Sequence, residues 1–216
     1  MSGVQQLAIP LNQGQINAAT EFWKKNGGWK TPEFDQINRV FQIREAVRLK
    51  AILLNALYAT NIFAIEAVGD CVQRVLDRVH STGPDLVEEL VVEIQEVTKQ
   101  NNHVFAAKYA HFFIDPSLPI LDWYAEWMVG RHLSPPMQST KTKRYLKFTE
   151  DVETLRRLAG LQCTCEELDG YLWVAGEYWY WKAHPKTLVN TELKPHFERL
   201  VANIEEEPDL ANLLGL

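Results

Sequence analysis

The chain has 216 residues, 46% of them hydrophobic and 11% aromatic, which is enough apolar chain to bury a sizeable core. A formal charge of -6 argues against nucleic-acid binding driven by overall charge, but leaves room for a local basic face. The three cysteines, Cys71, Cys163 and Cys165, are odd in number and the last two stand too close for an ordinary disulfide, so reduced thiols are expected. No second Cys/His pair stands at zinc spacing and no cofactor motif occurs, so neither metal nor cofactor is expected.

In residues 1–10 the run VQQLAIP reads as a brief strand or an extended arm ended by Pro10. The start lacks a basic stretch followed by a long apolar run. No signal peptide is therefore expected, and no stretch reaches transmembrane length without charge. Asn12 to Lys25 has helical spacing at Ile16, Ala19, Phe22 and Trp23 and stops at Asn26-Gly27-Gly28. Phe34 to about Ala59 reads as strongly helical. Ile37, Val40, Phe41, Val47 and the run from Ile52 to Leu57 trace its apolar stripe. Arg39, Arg44, Arg48 and Lys50 read as a solvated basic face. Asn55 interrupts the apolar end, and a buried amide must find hydrogen-bond partners. Asn61 to Val79 reads as a helix, Asp85 to Thr98 as an acidic amphipathic one, and Lys99 to Asn102 as a polar turn.

The stretch from His103 to His132 organises the rest. Val104 to Phe113 is apolar nearly all round, so this helix is expected to be buried. Yet Lys108 and His111 lie within it, three residues apart and on one face. A lysine stripped of water loses its proton more readily, and a neutral amine is a nucleophile. The turn Asp115-Pro116-Ser117-Leu118-Pro119 then delivers Asp122 to the start of the next helix. Taken singly, Lys108 reads as an amine that snorkels to water and Asp122 as an N-cap. The two together, joined by one turn, suggest chemistry.

From Met128 to Thr149 there is no Asp or Glu, while Arg131, His132, Lys141, Lys143, Arg144 and Lys147 make this the best phosphate-binding candidate in the chain. A solvated surface loop explains the same composition. Ser134-Pro135-Pro136 opens it as a loop, and Tyr145 interleaves an aromatic. Asp151 to Leu161 reads as a short helix. Thr164-Cys165-Glu166-Glu167 looks like a helix start, and that helix runs to about Lys182. Its dense Trp and Tyr residues suggest a core-facing helix, of which an exposed subset could stack on bases or on a sugar. Leu193 to Ile204 reads as a terminal helix, followed by an acidic tail from Glu205 to Asp209. Strand signals are nearly absent, so the class is all-α, in a single domain over residues 1–216 with no clear linker.

An amine, a carboxylate and nearby aromatics are the parts needed to cleave a glycosidic bond to a nitrogen base. A fixed carboxylate stabilises the developing sugar cation, a neutral amine attacks the anomeric carbon, and aromatic walls receive a flipped base. The run AAKYAHFF…LPILDWYAEWMV resembles the lysine-and-aspartate segment of the helix-hairpin-helix DNA glycosylase superfamily, nearest its 8-oxoguanine type. The resemblance implies an all-α fold of two helical lobes flanking a central cleft. It implies Lys108 as nucleophile and Asp122, within Pro119-Ile120-Leu121-Asp122, as catalytic carboxylate. ILLNALYATNI resembles the helix that presents an amide to the cleft, which would be Asn55. Tyr58, His111, Trp123, Tyr124 and Trp173 would then line the base site. The place of the family's Gly-x-Gly hairpin turn is taken here by Gln100-Asn101-Asn102-His103. The implied partner is double-stranded DNA carrying a damaged or modified base. The protein would be a cytoplasmic, nucleoid-associated prokaryotic monomer with no membrane partner, serving repair or defence against phage with hypermodified DNA. The alternative is a non-catalytic, all-helical protein-interaction module, suggested by the acidic charge and the many aromatics.

Overall fold

A computed structural model describes residues 6–26, 31–58, 60, 62–80, 82–133 and 143–216. The described residues are all-α: eleven α-helices and one short 3-10 turn, with a single isolated bridge between Leu7 and Leu133. The chain forms two compact units. The first comprises Met1–Gly28, Asp122–Gln138 and Asp151–Leu216; the second comprises Trp29–Leu121 and Ser139–Glu150. No helix among the described residues is long and apolar enough to cross a membrane. All three cysteines are free thiols.

The second unit holds α2 (Thr31–Val40), α3 (Val47–Tyr58), α4 (Ile65–Arg78), α5 (Pro84–Thr98) and α6 (His103–Phe113). Val68, Val72, Val75, Leu86, Leu90 and Ile94 are buried along α4 and α5, as their helical spacing requires. The helix expected over residues 34–59 is two helices. Ala46 interrupts it with φ 51°, a left-handed conformation costly for a residue with a Cβ. Lys50 holds the break together. Its ammonium donates to the carbonyls of Gln42 (2.6 Å) and Phe41 (3.4 Å) and stands 5.6 Å from the Phe113 ring centre. Lys50 is fully buried, which corrects its place on a solvated face; Arg39, Arg44 and Arg48 do lie exposed. Burial lowers the Lys50 pKa, against the opposing charge of Glu45. Between α5 and α6 the chain turns at Lys99, which takes φ 57°.

The first unit is built from α1 (Gln13–Lys25), α7 (Trp123–His132), α9 (Cys165–Ala183), α10 (Lys194–Ala202) and α11 (Pro208–Leu214), while α8 (Arg144–Ala159) starts in the second unit and finishes in the first. Two capping boxes set helix starts: Asn12 with Gln15 on α1 and Thr164 with Glu167 on α9. The lead segment is extended. Ala8 donates to the His132 carbonyl (2.7 Å) beside the Leu7–Leu133 bridge. The acidic stretch from Glu205 to Asp209 is a folded cap rather than a tail. Glu207 accepts from Arg199 (2.7 Å) and contacts His196 (2.9 Å), Asp209 pairs with Lys25, and α11 buries Leu210, Leu213 and Leu214. The helix expected over residues 151–161 starts earlier, at Arg144. Tyr145 on its first turn is fully buried, its hydroxyl donating to the Pro119 carbonyl (2.8 Å), so it is a core residue and not part of a basic surface.

Candidate active site

In the second unit, α6 is buried as its composition predicts: Phe105, Ala106, Ala107, Tyr109, Ala110, Phe112 and Phe113 are all in the core. Lys108 is half-buried, and its ammonium stands 4.2 Å from the centre of the Tyr58 ring. The electrons of that ring face attract the cation. Tyr58 is itself stacked on Phe34 (5.9 Å, 9°) and Phe112 (5.4 Å, 24°), so a row of aromatic rings fixes the surface beneath the amine. Among the described residues the desolvated lysine is therefore Lys50, while Lys108 keeps partial access to solvent. Asn55 holds the end of α3: its side-chain oxygen accepts from Ile62 N (3.0 Å) and the Thr60 hydroxyl (2.6 Å), and its amide nitrogen donates to the Ile62 carbonyl (3.2 Å). His111 is buried with Nδ1 2.7 Å from the Leu118 carbonyl, which makes Nδ1 the protonated nitrogen.

The turn after α6 is held tightly. Asp115 Oδ1 accepts from the Ser117 amide (2.9 Å) and hydroxyl (2.6 Å), and the His111 and Tyr145 bonds hold the next two carbonyls. This fixes the approach to Pro119-Ile120-Leu121, whose side chains are buried.

In the first unit, Asp122 is the N-cap of α7, only 9% exposed, with Oδ1 accepting from the Ala125 amide (2.8 Å). The positive end of the helix dipole favours the carboxylate there. Trp123 is exposed and near-parallel to Trp127 (6.2 Å, 12°), with Tyr180 edge-on to both at 4.4 and 5.7 Å. Arg131 continues the row, its guanidinium 4.9 Å from the Trp127 ring centre and 5.8 Å from that of Trp179. Tyr124 is half-buried, its hydroxyl pushed up to about 12 by burial and then by the charges of Glu177 and Asp122. Trp173, midway along α9, stacks on Trp23 (5.4 Å, 24°).

His132, expected as a DNA contact, is fully buried. Its Nδ1 lies 2.9 Å from the Ile9 carbonyl and its Nε2 3.0 Å from the Tyr171 hydroxyl, and burial lowers its pKa. A ring with no surface touches no phosphate, so His132 is a structural residue. Of the basic segment, Lys143 is exposed while Arg144 and Lys147 are half-buried on α8. Lys141, the loop Ser134-Pro135-Pro136 and the stop at Gly27-Gly28 lie outside the described residues.

Sequence reasoning missed Glu177. It is 2% exposed, and its Oε1 accepts from the Asn190 amide. Its Oε2 is buried with no hydrogen-bond partner among the described residues. The available signal was that Glu177 is the lone charged residue in the run YLWVAGEYWYW. A cavity of about 740 Å³ in the first unit is lined by Asn12, Gln15, Arg131, Tyr171, Trp179 and Asn212. Another, of about 800 Å³ in the second unit, is lined by Phe41, Gln42, Arg44, His80 and Phe112. Neither is lined by Lys108 or Asp122. Among the described residues no group of three or more His, Cys, Asp or Glu side chains is placed to hold a metal ion.

The family model HI_0787_N, described as an N-terminal domain, matches residues 15–117. The matched stretch runs from α1 through α6. It includes Asn55, Tyr58, Lys108 and His111, and ends before Asp122. No curated protein and no solved structure matches the chain.

Proposed function

We propose that the protein is a DNA glycosylase that releases a damaged or modified base. The reading rests on the resemblance of the α6–α7 region to the helix-hairpin-helix glycosylase superfamily, and it takes that superfamily's two-lobed fold with a base-binding cleft. One observation carries it: a helical pair, α5 and α6, bears Lys108 on its second helix, and a proline-containing turn leads from there to a buried Asp at the first cap of α7. In this reading Asp122 stabilises the sugar cation that forms as the base departs. Lys108 attacks the anomeric carbon and holds it as a Schiff base. Trp123, Trp127 and Tyr180 offer ring faces and edges to a base outside the duplex, and Arg131 offers a cation to a phosphate. A bulky or sugar-bearing base suits so aromatic a surface, which links the activity to defence against phage DNA. The protein would act as a monomer in a prokaryotic cytoplasm.

The experiment is a screen of base release from duplexes carrying oxidised, deaminated, glucosylated and unmodified bases, with Asp122→Asn as control. Release that disappears in the variant supports the reading; release from none of the substrates sinks it.

A second reading, a non-catalytic helical interaction module, is favoured by the partial solvation of Lys108 over Tyr58, which suits a resting cation. Binding to a duplex containing a stable abasic analogue at low salt separates the two, because a module has no use for an abasic sugar.

A further inference from the structure

The cavity of about 740 Å³ is walled by residues of the first unit alone, drawn from the extended lead segment and from α1, α7, α9 and α11. Its size suits a small organic molecule. Among the described residues its lining holds one cation, Arg131, and no Asp or Glu. Ile9, Met128 and Leu214 give it an apolar side, and Asn12 and Asn212 add side-chain amides.

Elsewhere in this acidic chain arginines find their anion within the protein. Arg48 pairs with Asp70, Arg74 and Arg78 with Glu93, and Arg199 with Glu207. No carboxylate among the described residues pairs with Arg131. Its guanidinium lies instead over Trp127 and Trp179, 4.9 and 5.8 Å from the ring centres. Stacking holds a guanidinium in one orientation. Its N–H donors lie in the guanidinium plane and stay available to a planar acceptor with two oxygens. The ordering that such a ligand would otherwise impose is already in place.

The next residue, His132, adds no second charge. Its Nδ1 bonds the Ile9 carbonyl (2.9 Å), its Nε2 meets the Tyr171 hydroxyl (3.0 Å), and burial lowers its pKa. With Nδ1 protonated, the Tyr171 hydroxyl donates to Nε2. Tyr171, which also lines the cavity, thus keeps only oxygen lone pairs for anything else. The described wall therefore offers a single positive charge, which one anionic group balances and a dianion exceeds.

We propose that this cavity binds a small organic monocarboxylic acid, its carboxylate forked on Arg131 and its apolar body against Ile9, Met128 and Leu214. The proposal goes beyond the glycosylase reading, in which the same guanidinium meets a DNA phosphate, and it stands or falls separately.

The test is a nitrogen-15 NMR titration of the whole protein, read at the Arg131 Nε–H and the Trp179 indole N–H. The probes are benzoate, indole-3-acetate and hexanoate, each beside its neutral amide, and a short unmodified duplex. At least one acid is expected to shift both signals saturably and to bind about tenfold or more tightly than its amide, which offers the fork one oxygen and no charge. Arg131→Met is expected to abolish the Trp179 shift. The proposal is overturned if no acid moves either signal at about 20 mM, a concentration that would reveal even millimolar binding. It is equally overturned if the amides bind as tightly as the acids, or if Arg131→Met keeps the Trp179 shift. The comparison of acid with amide uses wild-type protein and decides even if the variant fails to fold. A duplex that moves the Arg131 signal when no acid does assigns the guanidinium to a DNA surface and overturns the proposal too.

Discussion

Gly176 lies so close to Tyr124 that the carbonyl oxygen of one occupies the space where the other would carry a side chain. Gly176→Ala is therefore expected to push α9 off α7, at about 1–3 kcal/mol, the usual cost of overpacking against backbone. Gly130, inside α7 with nothing within 4 Å of its would-be Cβ, is the control. Gly130→Ala is expected to be neutral or to stabilise by up to about 1 kcal/mol through the unfolded chain. Chemical denaturation of both variants checks this, and equal losses would contradict it.

Glu177 predicts how stability depends on pH. Its folded-state value, about 7, lies above its ordinary value of 4.5, so the folded chain binds this proton more tightly than the unfolded one. The stabilisation is full below pH 4.5 and is lost as pH rises through about 7. It amounts to roughly 3 kcal/mol. Glu177→Gln, which carries no titrating proton, is expected to flatten that part of the profile. The comparison to make is the difference in unfolding free energy between wild type and variant at pH 4.5, 6 and 8.

The two notable lysines predict opposite behaviour. Lys50 closes the break between α2 and α3 through two carbonyls, so Lys50→Met is expected to destabilise the protein by about 1–3 kcal/mol as those carbonyls lose their donor. Lys108 makes one exposed-side cation–ring contact, so Lys108→Met is expected to cost less than about 1 kcal/mol. Under the glycosylase reading, only Lys108→Met abolishes borohydride trapping on DNA. Thermal unfolding and trapping together separate the roles.

Asp122 caps α7 and, in the proposed function, also stabilises a cation. The two roles come apart by substitution. Asn caps as well as Asp, so Asp122→Asn is expected to keep stability while lowering base release at least a hundredfold. Asp122→Ala is expected to lose about 1 kcal/mol of stability as well. Matching release rates for Asp122→Asn and wild type would leave Asp122 a cap and nothing more.

Helix starts were legible because their chemistry is local. Asn12 with Gln15, and Thr164 with Glu167, bond within four residues, and Asp122 caps where the sequence places it. The break at Ala46 was not legible, since alanine gives no signal of a left-handed backbone and the donor that holds the break is a lysine four residues on. Lys50 and Lys108 look alike in sequence, each a lysine in an apolar helix; which is dry depends on the Phe41 and Gln42 carbonyls in the break before α3 and on Tyr58 at its end. His132 read as one more basic residue beside Arg131, but the Ile9 carbonyl that engages it comes from 123 positions earlier. Glu177 stands among aromatics that mask it in sequence, and the Asn190 amide that engages it lies 13 positions on.

The first unit is assembled from the two ends of the chain, with α1 packed on α9 and α11. During synthesis, α1 emerges well before α9 and α11. Ile16, Ala19, Phe22 and Trp23 therefore stay exposed to solvent until α9 and α11 have left the ribosome, whereas α2 to α6 can fold as they emerge. A nascent chain stalled before Cys165 has a folded middle and a sticky N-terminal helix, the form in which a chaperone would meet it.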